Sequence, residues 1–438
     1  MVISPRWRRD LGSAPIYTGW KVVGVSAFVW ALQSMLWIQG FGNIAVQLRA
    51  NFGWSKTLFS AAFTVTRAGG AVLGPGVGIA ISRYGTKAVI RFGSVFVLIG
   101  FLGLSQVQAQ WQFLLALSVA AFGTAFAGFI TFTSALVQWF ERKRAQALSI
   151  QTMGFAVGGF AGPLLVVAFG LFGWRWTLAG AGVALFAAMW IAAAVIGIDR
   201  ASSSEPIDGM AEANTKRAEG VTDTHFTVHQ ALRTRAFWMV SLGHGSALIV
   251  VTAVIAHIAL YLTEDRGFSA SQAALIAGVV PVFQFIGTGL GGYLGDRINK
   301  RIIIVIAMCS HAAGLLLLTW IESGVTIGAF VVLHGLAWGA RGPLMQAIRA
   351  DYFGTTNFAA IMGWSSMIVL IGTVIGPLIA GVLADSTGNY RLGFTIIAAL
   401  ALAGNGFWFL ASPPPSPPTG SIDGANSTNR SQASPGVA

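Results

Sequence analysis

Residues 78–87 read GIAISRYGTK, and the same pattern returns at residues 292–301 as GYLGDRINKR, 214 positions later. The pair Gly162-Pro163 returns at the same spacing as Gly376-Pro377. Two unrelated matches at one spacing indicate that the chain is an internal duplication. Duplicated hydrophobic halves are typical of secondary transporters, in which the substrate lies between the repeats near the bilayer midplane.

The composition agrees with a membrane protein. Hydrophobic residues make up 55% of the 438 positions and charged residues 10%, against roughly 25% charged in a typical soluble domain. The net charge of +12 does not indicate a nucleic-acid partner, because the basic residues lie between apolar stretches. The single cysteine, Cys309, excludes an internal disulfide.

Apolar stretches of about 20 residues, each long enough to cross a bilayer as a helix, divide the chain. Backbone inside hydrocarbon must satisfy its own hydrogen bonds, so we predict an all-α integral membrane protein of 12 transmembrane helices in two six-helix repeats. The predicted parts are a cytoplasmic N-terminal segment at 1–19, an N-terminal bundle at 20–198, a cytoplasmic linker at 199–235, a C-terminal bundle at 236–411 and a disordered cytoplasmic tail at 412–438.

Lysines and arginines predict the orientation. Twenty of them, including Arg349, fall on the side of the N-terminus and five on the other side, which places both termini in the cytoplasm. The first 15 residues lack the apolar core of a cleaved signal peptide. We expect a multi-pass protein of the cytoplasmic (inner) membrane, in contact with its lipids. Within the linker, Ser202–Gly220 has the composition of a flexible chain, and Thr227 is placed to cap a short helix.

The repeated motif resembles the loop motif of the major facilitator superfamily, which lies between helices 2 and 3 and between helices 8 and 9. Tyr17–Trp20 and Phe52–Ser55 resemble segments of its monocarboxylate porter branch and the oxalate/formate antiporter relatives. The resemblance implies that an acid in the motif faces a helix N-terminus in the other half, or a nearby arginine, and holds the cytoplasmic gate closed. The first copy has Ser82 at this position, whereas the second copy keeps Asp296. The implied gating residues are Gly78, Arg83, Gly85, Lys87, Gly292, Asp296, Arg297 and Arg301.

The charges that often bind anions in that branch are absent at their usual places. Ala270–Gly295 carries no charge and Asn357–Ala384 carries no lysine, so an anion site must be built elsewhere. Arg67 in helix 2 and Arg341 in helix 10 lie inside predicted spans, where a charge costs at least about 2.5 kcal/mol and marks a functional site by default. No acid lies inside a predicted span, so these cations would attract an anion.

Arg341 shares a helix face with other candidate substrate-binding residues. His334 and Trp338 precede it by seven and three positions, and Met345 follows four positions later. A guanidinium, an imidazole and an indole on one face could clamp a carboxylate. Two other interpretations stay open, because Arg341 could point to the inner surface or bond backbone freed by Gly342-Pro343.

Four further side chains complete the candidate set. Arg67 could bind substrate or be wedged against a ridge of glycines at a helix interface. Gln33 and Trp37 in helix 1 lie on a polar-aromatic stripe that indicates a cavity wall, although such stripes are usually packing. His257 in helix 7 is the candidate for proton coupling, since histidine titrates near physiological pH; a histidine satisfied by a backbone carbonyl is the alternative. His311 in helix 9 is predicted to face the periphery.

Together these features predict a secondary active transporter that moves a small organic anion, a monocarboxylate in the first instance, by alternating access with proton coupling. An organic anion exchanger is the alternative, and a transporter-derived sensor that signals through the linker or the tail is a weaker one. No metal-ligand cluster and no nucleophile with its base falls in a span. We therefore expect a monomer that is not an enzyme and binds no metal or cofactor.

Overall fold

The structure is a computed structural model that describes residues 16–55, 58–59, 62, 66, 69–197, 203, 205–209, 225–321 and 323–417. Every regular element in this part of the chain is helical. Ten of its helices are long and apolar enough to cross a membrane. The all-α, membrane-spanning class predicted from the sequence is confirmed.

The first half of the chain forms helices that are interrupted at two places within predicted spans. A π-helical turn, Ser34–Ile38, joins the first helix to the second, and a break at Ala127-Gly128 separates the fourth from the fifth. The helices are α1 (Thr18–Gln33), α2 (Phe41–Phe52), α3 (Gly74–Ser105), α4 (Gln110–Phe126), α5 (Phe129–Leu136), α6 (Arg144–Phe160) and α7 (Gly162–Ile196).

The second half forms longer and less interrupted helices. Its first helix is short and begins as predicted, because the Thr227 hydroxyl accepts a hydrogen bond from Gln230 N at 3.2 Å. The helices are α8 (Val228–Leu232), α9 (Arg235–Leu260), followed by a π-helical turn (Tyr261–Asp265), α10 (Ala270–Gly295), α11 (Lys300–Trp320), α12 (Gly324–Phe353), α13 (Phe358–Thr387) and α14 (Arg391–Leu410).

Two glycines divide the longest helices of the first half. Gly85 in α3 has φ 77° and Gly173 in α7 has φ 75°, a region that glycine adopts without the steric cost of a Cβ. Gly85 lies between the second and third spans predicted from the sequence, at 54–82 and 88–108, and Gly173 lies between the fifth and sixth, at 145–168 and 176–198. The ten long helices are therefore compatible with twelve spans.

Small residues bring neighbouring helices of each half close together. A Cβ on Gly100 of α3 would lie 2.5 Å from Ala120 N of α4, and a Cβ on Gly287 of α10 would lie 2.3 Å from Leu336 O of α12. Lipid tails are as apolar as the side chains, so helices in a bilayer associate largely through such close backbone packing. The same type of contact therefore holds both halves together.

The two halves meet at the end of the bundle that carries Gly85, Lys143 and Arg297, called the basic end below. A Cβ on Gly78 of α3 would lie 2.3 Å from the Cα of Ala360 in α13. On the other side of this interface, a Cβ on Gly292 of α10 would lie 2.6 Å from the Ser149 side chain of α6 in the first half. The structure is therefore closed at the basic end.

The start of the linker is bound to the first half. Glu205 accepts hydrogen bonds from the backbone N–H and the hydroxyl of Thr18, at 2.9 and 2.7 Å. The Asp208 carboxylate accepts from the backbone N–H groups of residues 141–143 at 2.8–3.3 Å. N–H groups at a helix start and in a loop attract carboxylates, so the two acids at 205 and 208 attach this part of the linker to the first half. The rest of Ser202–Gly220, and the tail beyond Pro417, lie outside the described residues.

A single added methyl group tests the contact between the halves. We expect Gly78→Ala to lower the thermal unfolding midpoint of the purified protein, because a Cβ there overlaps the α13 backbone and overpacking costs about 1–3 kcal/mol. Gly76→Ala is the matched control, since nothing lies within 4 Å of a Cβ at that position of the same helix. Equal midpoints for the two variants would contradict the close approach of α3 and α13.

Candidate functional site

Arg341 lies in the middle of α12 and is 1% exposed, and its partners among the described residues are neutral. Its Nε–H donates to His311 Nε2 at 3.2 Å, and its Nη2 donates to the backbone oxygen of Ala247 in α9 at 3.3 Å. Its Nη1 lies 3.6 Å from Met345 Sδ, a weak acceptor. The side chain thus lies among α9, α11 and α12. It neither points to the inner surface nor bonds the backbone beside Pro343.

The guanidinium of Arg341 has more donors than the structure satisfies. A guanidinium carries five N–H groups, and three of them have a partner here, so each terminal nitrogen keeps one N–H without an acceptor among the described residues. No described carboxylate lies within ion-pair distance of it. Two N–H groups of this buried guanidinium are therefore unused.

His311 and His334 form a buried pair next to this guanidinium. Their Nδ1 atoms lie 3.0 Å apart and both side chains are 0% exposed, while His334 Nε2 has no hydrogen-bond partner among the described residues. The predicted peripheral position of His311 is wrong, because α11 covers the face of α12 that carries Arg341. Trp338 is half-buried, with its ring 6.4 Å from that of His334.

A second buried arginine, Arg349, was missed by the sequence analysis, which assigned it to the inner surface. It is 2% exposed and donates from Nε and Nη2 to Ser365 Oγ at 3.0 and 2.8 Å. Its Nη1 donates to Met345 O at 2.7 Å and to Gln346 Oε1 at 3.3 Å, and its Nη2 lies 3.1 Å from His244 Nδ1. All five N–H groups of the Arg349 guanidinium therefore have an acceptor. The eight-residue spacing from Arg341, two turns on one helix face, was the available signal.

The structure does not bring the helix 1 candidates to Arg341. Gln33 is 1% exposed and donates to Ala127 O at 2.6 Å, where the chain breaks between α4 and α5. Trp37 is 8% exposed, and its ring lies 5.7 Å from that of Phe101. Both side chains pack inside the first half, as the packing alternative expects. Arg67 lies outside the described residues.

His257 lies towards the end of the bundle opposite the basic end. Ten residues separate it from Ala247 along α9, which corresponds to about 15 Å. Its Nε2 lies 3.0 Å from Pro377 O and its Nδ1 lies 3.2 Å from the Tyr390 hydroxyl. Burial, and then the nearby carboxylates including Asp265, raise the pKa of Tyr390, so its hydroxyl stays protonated and donates to Nδ1. The Nε2–H then donates to Pro377 O, the backbone contact of the alternative interpretation.

A cavity of about 600 Å³ opens between α1 and α7 in the first half. It is lined almost wholly by apolar side chains, including Leu36, Leu165 and Trp176, and Trp176 is exposed. Its walls contain no charged group and none of the candidate binding residues. The cavity therefore suits a lipid chain better than an organic anion.

The second copy of the repeated motif joins the halves at the basic end. Asp296 accepts hydrogen bonds from the backbone N–H groups of Ala145 (2.8 Å) and Gln146 (3.0 Å), in the first turn of α6. Burial raises the pKa of the Asp296 carboxyl, and the two amides oppose that shift. Gly292 allows the close approach, because a Cβ there would lie 2.6 Å from the Ser149 side chain. An acid at a helix N-terminus is favoured by the helix dipole, as the resemblance implied.

The first copy of the motif does not bridge the halves in this way. Ser82 donates to Gly78 O of its own helix at 3.0 Å. Arg83 lies over the adjacent Tyr84 ring at 5.5 Å, and both Arg83 and Lys87 are exposed. The loss of the acid at position 82 thus removes the equivalent contact to α13.

An ion-pair cluster that the sequence did not predict accompanies Asp296. Asp351, near the end of α12, pairs with Arg144 of the first half and with Lys300 of the second, the latter at 2.9 Å. Arg297 and Arg301 instead donate to main-chain carbonyls of their own half. The closed end therefore depends on two carboxylates of the second half, at positions 296 and 351.

A duplicated bundle of apolar helices, closed at one end and with buried cations in its second half, defines a secondary transporter rather than an enzyme. The chain belongs to the Major Facilitator Superfamily, whose family model matches residues 19–258 and 240–433. The motif-based expectation of this family is thereby confirmed.

Similar proteins extend over most of the chain. Monocarboxylate transporter 13 of Bos taurus is 25% identical over 399 residues, which cover 89% of this chain and 88% of that protein. The hexuronate transporter of Escherichia coli (strain K12) is 25% identical over 377 residues, covering 83% and 84%. The crystal structure of the E. coli fucose:proton symporter FucP superposes with a TM-score of 0.65 at 16% identity, covering 90% of this chain and 98% of that one. The fold is therefore that of a major facilitator.

Removal of the Asp296 carboxylate tests the contact at the basic end. We expect Asp296→Ala to increase about five- to tenfold the alkylation rate of a cysteine placed at Ser149, in a Cys309→Ser background. The reason is that two charge-assisted hydrogen bonds to α6 are lost, a cost of about 1–3 kcal/mol to the closed state. Asp385→Ala, which removes an exposed acid near the end of α13, is the control. An unchanged rate in Asp296→Ala would show that this carboxylate does not hold the halves together.

Proposed function

We propose that this secondary transporter moves a small organic anion, a monocarboxylate in the first instance, by alternating access. The observation that carries the proposal is the buried guanidinium of Arg341, which has neutral acceptors and two unused N–H groups among the described residues. A carboxylate has two oxygens that match a guanidinium in a bidentate arrangement.

The charge of the second half favours an anion over a cation or a neutral compound. Arg341 and Arg349 are both buried in α12, and no described carboxylate pairs with either of them. Two fixed positive charges in a region of low dielectric repel a cation and attract an anion. Arg349 already uses its donors on neutral partners. We therefore propose that Arg341 contacts the anion directly and that Arg349 contributes only the attraction of its positive charge. Trp338 and His334 lie beside Arg341 and would contact the body of the substrate.

The names of the relatives support the same chemical class. Monocarboxylates and hexuronates differ in size and polarity, but each carries one carboxylate, and both names occur among proteins 25% identical to this chain over most of its length. The carboxylate is thus the shared group that a cation would recognise. We propose proton symport as the mechanism, with anion exchange as the alternative. His257, the proton site predicted from the sequence, has both ring nitrogens bound to Tyr390 and Pro377.

A pair of arginine variants tests the anion site. We expect Arg341→Gln to lower the uptake of lactate or glucuronate at least about thirtyfold, because loss of a buried charge partner costs about 2 kcal/mol or more. Arg349→Gln is matched in residue type and helix, and we expect it to lower the melting temperature and to lower the apparent affinity for the anion much less than Arg341→Gln does, because only a more distant charge is lost. Normal uptake by the Arg341→Gln protein would refute the anion proposal.

Proteoliposomes with an imposed pH gradient distinguish symport from exchange. With symport, an inward proton gradient drives accumulation of labelled lactate or glucuronate into vesicles that contain no anion. With exchange, accumulation requires an internal anion and is independent of the gradient. Gradient-independent uptake with a strict requirement for internal anion would replace symport by exchange and leave the anion proposal intact.

A further inference from the structure

The hydrogen bonds around Arg341 determine which ring nitrogens of the two histidines carry protons. A guanidinium only donates, so His311 Nε2 must accept the Nε–H of Arg341 at 3.2 Å. A neutral His311 then carries its proton on Nδ1 and donates it to His334 Nδ1 at 3.0 Å. His334 in turn carries its proton on Nε2, the atom without a partner among the described residues.

This arrangement leaves the pair with no free lone pair for an additional proton. The lone pair of His334 Nδ1 accepts from His311, and the lone pair of His311 Nε2 is covered by Arg341. An additional proton can bind only after the Nε–H of Arg341 moves away from His311. A carboxylate that draws the guanidinium towards itself would cause this movement, because a charged acceptor is stronger than an imidazole.

We propose that the His311–His334 pair is the proton-binding site of the transporter, and that Arg341 uncovers it when an anion binds. In the empty protein the guanidinium caps the lone pair of His311 Nε2. When the anion binds, the guanidinium turns to the carboxylate and a proton from solution binds to the uncovered Nε2, which makes His311 an imidazolium. Loss of the anion on the other side returns Arg341 to His311, and the proton leaves to solution there.

The charge balance favours binding of the anion and the proton together. The empty site carries the single positive charge of Arg341, and the loaded site carries the guanidinium, the imidazolium and the anion, which again sum to one positive charge. A proton without an anion would place two cations side by side in a buried site, where repulsion is strong. The empty transporter therefore returns without a proton, as tight coupling requires.

The groups around the pair supply no other proton acceptor. From α12 itself the charged neighbour is Arg341. The one ionisable side chain along Ala270–Gly295 of α10, which packs against α12, is the exposed Tyr293 near the end of that helix. From α9 the nearest titratable group is His244, which is bound to Arg349. The other titratable group in this part of α11 is Cys309, which is exposed and contacts Asn405.

This inference rests on the proposed function, and it differs from the sequence-based choice of His257 as the proton site. His257 lies about 15 Å further along α9 and is bound to Tyr390 and Pro377. A proton there would have no contact with Arg341 through which anion binding could control it.

Proton uptake on anion binding tests the inference. Purified protein in a weakly buffered solution with a pH indicator receives lactate or glucuronate, and we expect the wild type to take up about one proton per anion bound. His311→Gln keeps an oxygen acceptor for Arg341 but cannot bind a proton at neutral pH. We expect this variant to bind the anion within about threefold of wild type and to exchange it across vesicles, without proton uptake or gradient-driven accumulation.

His257→Gln is the matched control and should keep the wild-type proton uptake. The inference is overturned if the wild type takes up no proton, or if His311→Gln still takes one up, since the proton would then travel on the substrate or elsewhere. Should His311→Gln fail to fold, the wild-type measurement and His311→Asn, which also offers Arg341 an amide oxygen and cannot bind a proton at neutral pH, decide the question. If neither probe binds to the wild type, the anion proposal itself fails, which is a different result from anion transport without a proton on the pair.

Discussion

The charge of a guanidinium buried between membrane-spanning helices has to be stabilised by electron-rich partners. Among the described residues, the partners of Arg341 are a ring nitrogen, a carbonyl and a thioether. Such partners stabilise a cation less than a carboxylate does, and the low dielectric increases the difference. The unpaired charge links α9, α11 and α12 and determines the hydrogen-bond directions in the histidine pair. It also keeps two N–H groups without an acceptor among the described residues. The binding and coupling proposals both depend on this one side chain.

The two halves differ although they descend from one repeat. In the second half, Asp296 and Asp351 hold the basic end closed, and α12 carries both buried arginines. In the described part of the first half, Ser82 replaces the motif acid, and the polar group of Gln33 is used for packing. Separation of the two halves at the basic end therefore has to break one set of carboxylate contacts instead of two. The second half therefore supplies most of the chemistry at both the site and the closed end.

The sequence predicted the features that follow from repetition and helical period. The resemblance to the major facilitator superfamily implied the contact of Asp296 with a helix start, and spacing placed His334 and Arg341 on one face. The helical periodicity of a sequence does not show which neighbouring helix covers a given face. For this reason His311 was predicted at the periphery and Trp37 in a cavity wall. Arg349 was assigned to the surface because α12 continues past the apolar stretch that defined the span. The missed contacts all depend on tertiary packing between helices.

A structure of the protein with lactate or glucuronate bound tests the central claim most directly. The measured quantity is the distance from Arg341 Nε to His311 Nε2, which is 3.2 Å here. The account predicts that the carboxylate oxygens lie about 2.8 Å from the Arg341 guanidinium and that this Nε–Nε2 hydrogen bond is broken. A carboxylate bound elsewhere, with Arg341 still bonded to His311 and to Ala247, would contradict it.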